Sequence, residues 1–292
     1  MKKLLITVAL AVFLAACGGG GSGTAATTTT TTSTVATSQA TVSSSNASTI
    51  TSSATTNLNM AQSIAVAYHL KPYFKPGSAA PVYDDGFGKP LADAIAALDG
   101  PRATGSYTGS CGGTLTYTTS ATSASFVFAS YCSGGTTING TISATGSSSS
   151  ATVTISNLTV STSSSSVSMD GTFTAAMTAT SNTFTMTLTV TATSGGTTYY
   201  AKMENFKMTL TISGSTYSET VTGRFYYNTT GYVDITTPAA ITGTYSTGYI
   251  GSPKSGEMRL TGGGSTIARV VYTNGVAAYS YSTNGGTSWT AI

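Results

Sequence analysis

The chain has 292 residues, of which only 7% are charged, twelve Lys and Arg against nine Asp and Glu. A globular domain usually carries about 25% charged residues, so Ser, Thr and Gly supply most of the polar surface, and no basic patch exists for nucleic acid. The single histidine argues against a zinc site built on several imidazoles, and no cofactor motif is legible.

Lys2 and Lys3 precede an uncharged, mostly apolar run from Leu4 to Ala16. At about 13 residues this run is too short to cross a hydrocarbon core ~30 Å thick as a helix. The parts have the form of an export signal. The run ends Leu14-Ala15-Ala16-Cys17, which resembles the lipobox of bacterial lipoproteins. That resemblance implies cleavage between Ala16 and Cys17 and acylation of the Cys17 thiol, so that the membrane is a partner through lipid such as palmitate. Two or three acyl chains anchor firmly where one does not. Residue 18 is Gly and not Asp, a pattern that in the sorting rule of Gram-negative bacteria implies the outer membrane. Loss of Lys2 and Lys3 leaves ten basic residues against nine acidic.

The expected partition is a signal over 1–16, a lipidated cysteine and disordered Gly/Ser/Thr tether over 17–56, a helical segment over 57–103, and an antiparallel β domain over 104–292. The tether is expected to be disordered because it is uncharged and poor in large apolar residues, with little burial to offset its chain entropy. Leu58, Ile64, Ala65 and Leu70 recur at helical spacing and predict a helix over 57–70, stopped by Pro72. Asp84, Asp85, Gly86 and Gly88 read as a turn; the calcium-loop spacing is missing. Pro90 opens a second short helix, with Leu91, Ala94, Ile95 and Leu98 on one face.

From Thr104 onward the pattern is β. Cys111 and Cys132, an even pair in an exported chain, read as a disulfide. If they face each other across a hairpin, Leu115 meets Phe128, Tyr117 meets Phe126, and the turn falls at Ser120 to Ser123. Phe184, Met186, Leu188, Val190 and Ala192 alternate with threonines, which predicts an antiparallel strand with one buried face. The apolar phase slips near Glu204-Asn205, which predicts a bulge. Further strands are expected over 152–160, 166–178, 217–228, 231–236, 256–260, 266–272 and 276–282, with Asn274-Gly275 and Asn284-Gly285 as hairpin turns.

A loose apolar–polar–Gly triplet recurs at Ile138-Asn139-Gly140, Met169-Asp170-Gly171, Val221-Thr222-Gly223, Ile241-Thr242-Gly243 and Leu260-Thr261-Gly262. Glycine within a strand marks a bulge or bend. The expected fold is therefore mainly β: a curved antiparallel meander, as half-barrel, barrel or sandwich, with two short N-terminal helices packed on it.

Few residues suggest chemistry. His69 lies among Tyr68, Leu70 and Lys71 with no nucleophile elbow in the chain. Glu204 and Glu219 have nothing to place them at one cleft as a glycosidase pair. Ser282 to Trp289 resembles the Asp-box hairpin of sialidase-like propellers, with Asn284 in place of the aspartate. There the box is a fold element, and the resemblance implies a hairpin with Trp289 packed against it. Of seventeen tyrosines, Tyr226, Tyr227, Tyr232, Tyr245 and Tyr249 are candidates for a binding face, since Tyr offers large rigid contact area with a polar tip. The expected function is that of an envelope lipoprotein without catalysis, a binding, structural or adhesive module for an envelope component, polymer or lipid. The alternative is an amphiphile carrier, similar to periplasmic lipoprotein carriers, with an apolar cavity under the helices.

Overall fold

The structure, a computed structural model, describes residues 36–55, 58, 62, 90, 93–95, 97–98 and 101–292, apart from 148, 179, 228–229 and 247–248 and the side chain at 249. Fourteen strands follow one another: β1 (Ala103–Thr108), β2 (Thr114–Thr119), β3 (Ser123–Ser133), β4 (Thr136–Ser147), β5 (Ser150–Ser161), β6 (Ser165–Met177), β7 (Ser181–Ser194), β8 (Thr197–Ser213), β9 (Thr216–Tyr227), β10 (Gly231–Ser246), β11 (Tyr249–Thr261), β12 (Ile267–Thr273), β13 (Val276–Ser282) and β14 (Thr290–Ala291). Each pairs antiparallel with the next, and the spatial order is the chain order from β1 to β14. The meander is thus one open sheet and neither a closed barrel nor a sandwich.

The period-two pattern sets the two faces. On β7, Phe184, Met186, Leu188 and Val190 are buried while the threonines between them face outward. The disulfide hairpin has the register expected of it: Leu115 opposite Phe128 and Tyr117 opposite Phe126. Cys111 and Cys132 are bonded, and Ser120 N–H donates to Ser123 O at 2.7 Å to close the turn.

Long strands hold one side inward only if their phase is corrected where the sheet bends. On β3 the buried set runs Phe126, Phe128, then Tyr131; on β5, Val153, Ile155, then Leu158; on β8, Met203, then Phe206. Each slip is one inserted residue, Ser130, Asn157 or Asn205, with φ near +50° (51, 48 and 49°). The freed N–H groups are capped by side chains: Ser130 N donates to Asn139 Oδ1 (2.8 Å), Asn157 N to Asp170 Oδ1 (2.6 Å) and Asn205 N to Thr187 Oγ1 (3.1 Å). Glycines bend the neighbouring strands: a Cβ on Gly171 would lie 2.1 Å from Thr187 O, and one on Gly223 2.6 Å from Phe206 Cα. In the first two triplets the apolar residue points inward, the polar one caps the bulge, and glycine admits the neighbouring backbone. Gly243 and Gly262 are not left-handed; they make room for the Tyr217 ring and for Ala40 O.

The chain folds earlier than expected. Residues 38–42, placed in the tether by their composition, run beside the sheet: Tyr232 N donates to Ser38 O and Ala40 N to Tyr232 O. Ser43 then starts a helix over residues 47–55, with its N–H bonded to Asn46 Oδ1 at 2.8 Å in the manner of a capping box. Ala47, Ile50, Ala54 and Leu58 recur at i, i+3, i+7 and i+11, and all are at most 2% exposed. The Ser/Thr background hides this stripe in any averaged window. Leu58 and Gln62 are helical, as are Pro90 and residues 93–95; the remainder of the two expected helices lies outside the described residues. Ile95 and Leu98 join Ile50 and Leu58 in the same core as the inner side of the sheet.

Candidate functional site

The sheet separates two polar regions. On its outer side, β8, β9 and β10 bring together Lys202, Glu204, Arg224, Tyr226, Tyr232 and Asp234. Register places Tyr226 between Lys202 and Tyr232. Lys202 Nζ lies 2.7 Å from Glu204 Oε1 and 4.9 Å from the Tyr226 ring centre. Tyr226 OH donates to Glu204 Oε2 at 2.8 Å. Arg224 pairs with Asp234 at 2.9 Å and lies 3.8 Å over the Tyr232 ring. The Lys202 and Tyr226 hydrogen bonds hold the Glu204 carboxyl below its usual range, and the Asp234 partner drives Arg224 upward. A shallow depression of about 290 Å³ lies over the adjacent bulge, bounded by Glu204, Asn205, Gly223, Arg224 and Asp234.

This arrangement corrects the expected tyrosine face. Tyr226 and Tyr227 do point to opposite sides, but neither is exposed (7% and 8%). Tyr226 is covered by Lys202 and Tyr232 on the outer side. Tyr227 faces inward, where its hydroxyl donates to Ile50 O at 2.5 Å and burial drives it well above the normal phenol range. Tyr245 packs on the inner core, and the Tyr249 side chain lies outside the described residues. The five tyrosines therefore do not form one face. Adjacent residues on a strand alternate sides, and inside they are claimed by the helical segment.

A second outer cluster sits on β11 and β12. Arg269 stacks 3.7 Å from the Trp289 ring centre, and Glu257 pairs with Arg259 at 2.7 Å. The Ser282 to Trp289 loop is closed by its own side chains: Gly286 N donates to Ser282 Oγ (2.9 Å) and Ser288 N to Asn284 Oδ1 (3.0 Å). By contrast, between Ala103 and Tyr200 the sequence holds one charged residue, Asp170, which caps a bulge. The outer face of β1 to β7 is a field of hydroxyls.

The inner region is a carboxyl in the core. Glu219 shares the inward phase of β9 with Tyr217 and Val221 and is 0% exposed. Gln62 Nε2 donates to its Oε2 at 2.6 Å, while Oε1 has no partner among the described residues. Burial pushes the carboxyl up to about 7, the Gln62 hydrogen bond partly offsetting it. Tyr272 is pushed to about 12, chiefly by burial. Glu204 and Glu219 lie on opposite sides of the sheet and share no cleft. A groove of about 390 Å³ opens nearby at the strand ends, lined by Thr211, Thr216, Tyr217, Gly243 and Lys254 among others.

Cys17, His69, Asp84 and Asp85 lie outside the described residues. Among the described residues no three His, Cys, Asp or Glu side chains gather as metal ligands, and no helix is long and apolar enough to cross a membrane. The ionic lattice and the buried carboxyl escaped sequence reasoning, although a signal for each exists. Lys202 and Glu204, like Glu257 and Arg259, are spaced by two and so share a side. Glu219 falls in the apolar phase between Tyr217 and Val221.

No protein-family model matches the chain, and no curated protein or solved structure does so either.

Proposed function

We propose that this chain is a lipid-anchored protein of the bacterial cell envelope, held in the outer membrane through Cys17, whose folded part is a non-catalytic binding or structural module. The lipobox-like Leu14-Ala15-Ala16-Cys17 supports the anchor. The observation that carries the module reading is the occupied concave side. Ile50, Leu58, Ile95 and Leu98 are each at most 2% exposed and take the place that a carrier keeps for its ligand. Partners then meet the outer side, with its hydroxyl field on one half and ion pairs on the other.

One observation favours the amphiphile-carrier reading. The inner side of the sheet is mainly apolar from Leu115 to Val270, and its cover is a separate segment of chain, tied to the sheet by the backbone bonds at Tyr232 and from Gly263 N to Ala40 O, and by those from Val42 N to Thr266 Oγ1 and from Tyr227 OH to Ile50 O. A cover attached in this way leaves a large apolar surface if it moves.

The anchor is tested by growing expressing cells with labelled palmitate. Wild type should carry the label and partition into detergent, and Cys17→Ser should lose both. A wild-type chain that takes up no fatty acid, or whose mature form begins at another residue, contradicts the reading.

A further inference from the structure

The described residues of the helical segment and of the inner side of the sheet are mostly apolar; their buried polar groups include Thr51 and Asp93 of the segment and, on β9 beneath it, Glu219. Its carboxyl is fully buried, bonded through one oxygen to Gln62 and unpartnered at the other among the described residues. The groups facing it are Tyr217 from β9 itself, which donates to Gly251 O at 3.2 Å, and Tyr272 from β12, hydrogen-bonded to Thr55. Leu210 from β8 and Ile241 from β10 flank it in register. None of these described neighbours is cationic.

We propose that Glu219 is a pH-sensitive latch on the N-terminal helical segment: with its buried acid neutral the segment stays docked on the concave side, and ionisation, which the Gln62 amide offsets only in part, loosens it. Transfer of an unpaired carboxylate into a core is costly, whereas a neutral acid with one hydrogen bond is tolerated. With the helix lifted, Glu219 is hydrated and ionises near its ordinary value of 4.5; with the helix docked it does so near 7. The sign follows. Below about 4.5 both states are protonated and docking is strongest. Between 4.5 and 7 only the docked state holds the proton, so docking weakens about tenfold per pH unit. Above 7 both are ionised and the effect levels off, at roughly 300-fold in all. The release exposes the apolar inner side of the sheet. The latch is a property of the folded part and does not rest on Cys17 or on the envelope reading.

Hydrogen exchange of the full-length protein, followed by mass spectrometry between pH 4.5 and 8 and corrected for intrinsic exchange, reads docking directly. Protection of residues 47–55 in wild type should fall with rising pH to about 7 and then level off. Glu219→Gln keeps the hydrogen-bonding shape without the charge and should be flat with pH. Gln62→Ala covers the case in which that variant fails to fold: it should lower protection at every pH while keeping the slope. Wild-type protection independent of pH, an equal fall in Glu219→Gln, or unchanged protection in Gln62→Ala overturns the proposal.

Discussion

Among single residues, the bulge spine distinguishes positions where glycine is required from those where it is tolerated. Gly223 has φ +136° and admits no Cβ, the nearest backbone atom being 2.6 Å away. Gly195 sits in a hairpin turn at φ +57° with nothing within 4 Å. Gly195→Ala carries only the left-handed strain of an L-residue, about 1 kcal/mol. Gly223→Ala adds a steric clash with Phe206 on β8 and should cost about 3 kcal/mol or more. Urea denaturation of the two variants should rank them in that order; equal losses would mean that the spine is not under this constraint. The apolar–polar–Gly triplets were visible in the sequence, but their middle residues were not readable as caps. Asn139 and Asp170 act on bulges in the preceding strand, a relation that exists only once register is fixed.

Secondary-structure elements were legible wherever one face is buried and the other wet. The Cys111–Cys132 hairpin followed from matching bulky residues across a supposed disulfide, and β7 from strict alternation. The bond joins residues 21 apart in sequence. Cys132→Ser should therefore destabilise the fold by roughly 3 kcal/mol in the chain-entropy picture, measured as a shift of the unfolding midpoint. An unshifted midpoint would mean that the hairpin's cross-strand pairs suffice without it. The helix over residues 47–55 was missed because the amphipathic stripe at Ala47, Ile50, Ala54 and Leu58 consists of single apolar residues in a Ser/Thr background. A sparse stripe defines a helix only when a concave sheet waits to cover it, and most helical stability in proteins comes from such packing. The tyrosine face failed for a related reason. Strand periodicity says which side a residue takes, but not whether that side is already occupied by Lys202 or by Ile50.

The whole molecule is a sheet curled by designed bulges around part of its own N-terminal chain. The inner core is continuous from β2 to β12 and includes the helical residues, so the sheet and its filling form one hydrophobic unit. Charges gather on the outer side of β8 to β12, where they pair with each other and with aromatic rings. The earlier strands present hydroxyls, which do not depend on ionic strength for their contacts. This division suits a module that meets partners from outside. It contrasts with a carrier, whose working surface is the concave one.

Native mass spectrometry of the purified full-length Cys17→Ser protein discriminates these designs most directly. A sheet filled by its own chain gives the mass of the polypeptide alone. A bound amphiphile that adds a discrete mass, and leaves only when the protein is unfolded, would contradict the filled core and with it the reading of the outer side as the working surface.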